Sequence, residues 1–257
     1  MSDLILSKIS FKKKALLALA DARKMAFIVL AGNLLQEIVI FHKMIAMSLN
    51  GIDNTEKGQA KGAQAAFLLR FLANQLSQGW EDLTKPSFRM YWGEFKGALS
   101  EEGKQKLQAL EQYFSNKDNK CLRIRNKFSS HYDSGEIEKI FNKISEEEDL
   151  HVLITDHHAN CRFTMCDLIF NFALWDTASL DLGTKEEMLT RLKDCFQNLC
   201  GEIIGTAKLF IDVLAECLSS FFVRIRDIKN EELTLTDVSN LDEASLPYYL
   251  VKREPQQ

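Results

Sequence analysis

Cys121-Leu122-Arg123-Ile124-Arg125-Asn126-Lys127-Phe128-Ser129-Ser130-His131-Tyr132 is the stretch on which the reading of this chain turns. Cys121, Ile124, Phe128 and Tyr132 recur at helical spacing and form one apolar stripe. Arg125 falls to one side of that stripe and His131 to the other. Within one helix the two are badly placed to cooperate, but two copies meeting along the stripe would bring the Arg and His of both chains together. Lys117, Lys120, Arg123, Arg125 and Lys127 lie within eleven residues, opposed only by Asp118. Histidine moves protons near neutral pH, and arginine braces charge on phosphoryl oxygens. A phosphodiester substrate suits that set. The plain alternative is a solvated basic face.

Around this segment the chain reads as all-helical. The 257 residues suit one large domain, and 46% hydrophobic with 26% charged residues is ordinary globular composition. Three prolines and twelve glycines favour long helices over strands and turns. A net charge of −4 argues against general coating of nucleic acid, so any RNA contact should be local. Periodicity predicts one or two helices over 12–49, then helices over 56–83, 101–115, 136–144 and 166–180, and a long one from about 185 to 223. Thr55 or Asn54, Ser100 and Thr184 are the expected N-caps. Alternation over 151–155 and 161–165, around Asp156-His157-His158-Ala159-Asn160, predicts a small β-hairpin insertion.

Arg125-Asn126-Lys127-Phe128-Ser129-Ser130-His131-Tyr132-Asp133 contains R-N-x-x-x-x-H followed by Tyr-Asp, and it resembles the signature of the HEPN superfamily. The resemblance is nearest to the branch associated with abortive infection. It covers residues 125–133 specifically, and the compatible helical pattern runs from about 12 to 223. It implies a metal-independent endoribonuclease of toxin–antitoxin or phage-defence type, with its Arg/His site composed at a homodimer interface through the motif helix. On this reading Arg125, Asn126 and His131 are catalytic, and Lys120, Arg123 and Lys127 hold the RNA backbone. Ser129, Ser130 and Tyr132 are accessory candidates. Partners implied are RNA, a second copy, and an antitoxin or nucleotidyltransferase. The alternative is a non-catalytic HEPN-like module that binds a nucleotide, RNA or protein.

The expected architecture is an all-α up-and-down bundle over 1–226. A C-terminal tail over 227–257 is left open between docking and partial disorder. No cofactor or metal is expected, although His157, His158, Cys161 and Cys166 could in principle ligate zinc. Phe88, Met90, Tyr91, Trp92 and Phe95 form an aromatic run suited to core packing, with base stacking or an oligomer contact as the alternative. The uncharged run Met25–Gln36 is too short to span a bilayer. The chain therefore reads as cytoplasmic, without membrane association.

Overall fold

The computed structural model describes residues 2–53, 55–126, 134–142, 144, 146, 150–155, 160–174, 185–225, 229–238, 240–241 and 243–249. They form an all-α bundle with a small antiparallel β element. In chain order these are β1 (Ser2–Ser10), α1 (Lys13–Leu17), α2 (Ala22–Leu49), α3 (Glu56–Thr84), a 3-10 turn (Pro86–Phe88), α4 (Arg89–Ala98) and α5 (Glu101–Ser115). There follow α6 (Lys120–Ile124), α7 (Ser134–Phe141), α8 (Thr164–Leu174), α9 (Lys185–Phe222) and β2 (Lys229–Val238).

Local chemistry explains where the helices begin. Asp21 caps α2 by accepting from the Lys24 backbone N–H at 2.7 Å. Thr55 caps α3 by accepting from Gly58 at 3.1 Å, and Ser100 caps α5 by accepting from Gly103 at 3.1 Å. Each satisfies a donor that the first helical turn leaves unpaired. Glu101 and Glu102 add favourable charge to the positive end of α5. After α2 the chain reverses through Gly51, whose φ of +78° suits glycine.

The core lies where α2, α3 and α9 meet, closed by α4, α5 and α6. Phe27 of α2 sits at its aromatic centre, in edge contact with Phe88, Trp92 and Phe95. Trp80 of α3 stacks on Phe114 of α5 at 5.0 Å and meets Phe210 of α9 edge-on. Tyr91, Trp92 and Phe95 are buried, so packing accounts for these rings. Each such buried ring contributes about 1.5–3 kcal/mol of transfer free energy. Gly79 allows α3 to approach α2 closely, because a Cβ there would lie 2.5 Å from Leu34 Cδ2.

The β structure is placed differently from the expected insertion. Where the hairpin was expected, Leu153 and Arg162 form a single antiparallel bridge, with reciprocal backbone bonds of 2.8 and 2.9 Å. The two-stranded sheet instead joins β1 to β2, pairing Leu4 with Leu235 and Leu6 with Leu233. Residues 240–241 and 243–246 then run against the end of α2. There the Asn50 side-chain amide donates to Ala244 O at 2.8 Å, and the Leu246 N–H donates to Met47 O at 3.4 Å.

Arg162, 5% exposed, ties the Leu153 bridge to the helices. Its Nε donates to Asp167 Oδ2 of α8 at 2.9 Å, and Nη1 reaches Glu56 Oε2 of α3 at 3.5 Å. A buried guanidinium requires such partners.

Helix α2 is long and apolar enough, by length and composition, to cross a membrane. The Met25–Gln36 run is cut short by Glu37, yet the helix continues unbroken through it. Glu37 accepts from Asn33 and from Gln75 of α3, each at 2.8 Å. Phe27, Ile28, Ala31, Leu34, Ile38 and Ile45 are buried.

Candidate functional site

The structure describes the basic segment as far as Asn126. Asn116 and Asn119 organise the turn before it. Asn116 Oδ1 accepts from the Asp118 N–H at 2.9 Å, and Asn119 Oδ1 caps α6 by accepting from Leu122 at 2.8 Å. Among the described residues regular helix spans Lys120 to Ile124, and the chain widens to π geometry at Arg125 and Asn126. Such widened turns are over-represented at functional sites. Lys127, Ser129, Ser130, His131 and Tyr132 lie outside the described residues. His157 and His158 do too, and the remaining described residues hold no metal-binding cluster.

The two described members of the apolar stripe turn inward. Cys121 is fully buried and Ile124 is 3% exposed, packed in the protomer's own core with α3 and α9. These two residues therefore do not supply the dimer seam that the stripe suggested. A second copy meeting α6 would have to use another face, where Arg123 is half-buried and Asn126 exposed.

Two of the expected cations are held by carboxylates that local sequence did not indicate. Arg125 Nη1 pairs with Glu81 Oε1 near the end of α3. Lys120 Nζ pairs with Glu202 Oε2 of α9 at 3.0 Å. The other Glu202 oxygen accepts from the Tyr113 hydroxyl of α5 at 2.9 Å. Tyr113 Oη in turn accepts from the Cys121 backbone N–H at 3.3 Å. Burial, with the neighbouring Cys121 and Glu202, pushes the Tyr113 phenol well above its ordinary range. Burial likewise drives the Cys121 thiol up to about 12. Both stay neutral at physiological pH, so this network positions α6 on α5 and α9 rather than moving protons. No signal in the segment could have found Glu81 or Glu202, which come from helices distant in sequence.

Arg125 is thus brought together with Asn126 on one turn and with Glu81 across the α3–α6 contact. The guanidinium keeps some solvent exposure, its side chain being 23% accessible. Its delocalised charge and several donors let it meet a carboxylate and still address an incoming anion. No protein-family model, curated protein or solved structure matches the chain.

Proposed function

We propose that this chain is a HEPN-type, metal-independent endoribonuclease of the toxin–antitoxin or phage-defence kind, acting as a homodimer. The observation that carries the reading is Arg125 and Asn126 side by side on the widened turn of α6, at the head of the six residues that lead to His131. An all-helical bundle is the architecture that the motif resemblance implies. The ribose 2′-OH would attack the adjacent phosphorus while His131 of one protomer removes its proton. The bond to the 5′-oxygen breaks, and that oxygen takes a proton from the second protomer's histidine. Arg125 would neutralise charge on the phosphoryl oxygens, and Asn126 would orient the phosphate by hydrogen bonding. Products are a 2′,3′-cyclic phosphate and a 5′-OH, and DNA is resistant.

The test compares wild type, Arg125→Ala and His131→Ala on total RNA with EDTA present. Loss of the proton-transfer histidine should slow cleavage by on the order of 10²–10⁴. The Arg125→Ala protein should remain folded, because a partly exposed ion pair contributes only about 0–1 kcal/mol. Wild-type cleavage ending in cyclic phosphates, lost in both variants, supports the reading. Cleavage unchanged in either variant would sink it.

The second reading is a non-catalytic module, favoured by one observation: Arg125 and Lys120 both already pair with carboxylates. Salt-sensitive RNA binding by all three proteins, without any cleavage, is its expected signature.

A further inference from the structure

Phe67 and Phe71 of α3 are 45% and 43% exposed, although Leu68, Leu69 and Leu72 between and beside them are buried. Their ring centroids are 4.7 Å apart at 48°. Phe41 of α2 stacks on Phe71 at 6.2 Å and 17°, supporting it from behind. The Arg70 guanidinium sits between Phe67 and Phe170 of α8, 5.4 Å from each ring. Burial in this bundle does not require these ring faces, since the core is already filled from the opposite side of α3. An arginine braced by two rings next to half-exposed aromatic faces is instead what a nucleobase and its phosphate recognise.

The same face leads toward the candidate site. At roughly 100° per residue, Phe67, Phe71, Asn74, Gln78 and Glu81 fall within about 80° of one another on α3. At about 1.5 Å rise per residue the two rings lie roughly 15–21 Å along the helix from Glu81, which holds Arg125. A few nucleotides of extended single strand cover that distance. Asn74 and Gln78, both half-buried, line the way with neutral hydrogen-bonding groups.

We propose that Phe67, Phe71 and Arg70 form a stacking platform for single-stranded RNA, a few nucleotides from the Arg125–Asn126 turn. The proposal rests on the ribonuclease reading for its choice of ligand. Bases stack on the two rings while Arg70 meets the backbone. The chain's acidic balance gives RNA little general attraction, so stacking supplies affinity that persists in salt.

The test uses a short fluorescent oligoadenylate with every 2′-OH methylated, so that binding is measured without cleavage. Phe67→Leu and Phe71→Leu keep apolar bulk against the helix, and circular dichroism checks that both are folded. Each should weaken binding on the order of tenfold, with little change in the salt slope. Phe71→Trp should restore affinity, and its added fluorescence should be quenched by the oligonucleotide. Unchanged affinity in both leucine variants overturns the platform, even if wild type cuts RNA. Ring-dependent binding with no cleavage of natural RNA leaves the platform standing and removes the ribonuclease. A shift in oligomeric size in the leucine variants, with RNA binding intact, would assign the rings to a protein contact and overturn the proposal.

Discussion

At the scale of single residues, burial has silenced groups whose chemistry would otherwise invite attention. Cys121, Cys200 and Cys217 all lie in the core, and desolvation lifts each thiol from an ordinary 9.0 to about 12. Cys161 and Cys166 are half-buried. Alkylation of the native protein, followed by mass spectrometry, should therefore label Cys161 and Cys166 well before the other three. Equal labelling of these five described cysteines would contradict the packing. The same shifts carry a sign. Above pH 9 the unfolded chain sheds these protons and the folded chain keeps them, so this stabilisation is complete below pH 9 and declines as pH rises toward 12. Urea midpoints measured between pH 8 and 11 should fall, and fall less steeply in a Cys200→Ala variant that remains folded.

At the scale of elements, the close approach of α2 and α3 depends on one missing side chain. Gly79→Ala would press a methyl group into Leu34, at a cost of about 1–3 kcal/mol. Gly93→Ala in α4 meets nothing within 4 Å, and should be neutral or gain up to about 1 kcal/mol in helix propensity. The thermal midpoint should fall for Gly79→Ala and hold or rise for Gly93→Ala; an unlowered Gly79→Ala midpoint would contradict the close α2–α3 packing.

Elements were legible in the sequence wherever the determining chemistry is local. Thr55 and Ser100 announce α3 and α5 by their hydroxyls, and the predicted 101–115 helix matches Glu101–Ser115. The α9 periodicity runs on through Gly201 and Gly205 without a break. Legibility failed where the partner is remote. Leu4 and Leu6 alternate as a strand should, but nothing near them reveals pairing with Leu233 and Leu235. Likewise the cations of α6 were visible, whereas the Glu81 and Glu202 carboxylates that hold two of them were not. Of the apolar stripe, Cys121 and Ile124 pack into the protein's own core, against helices that nothing near them in sequence names.

At the scale of the whole molecule, the helices and the β1–β2 ribbon are separate stabilising units. The ribbon's strands contact one another far more than they contact any helix, and Leu4, Leu6 and Leu235 stay substantially exposed. A two-stranded ribbon on its own is marginal in water. Deleting residues 1–10 should leave the helical circular-dichroism signal and a cooperative melt intact, with the midpoint lowered by only a few degrees. Collapse of the cooperative transition would show that the ribbon holds the bundle together.

The ribbon also orders events in time. Ser10 pairs with Lys229 and Ser2 with Val238, so its zipping joins segments more than two hundred residues apart. Closing so long a loop in the unfolded chain is entropically costly, whereas the α2–α3 pair needs only a short connection. Once the helices have packed, the same closure spans a short gap. The ribbon is therefore a latch that shuts after the bundle has formed, and the first part of the native molecule to come undone.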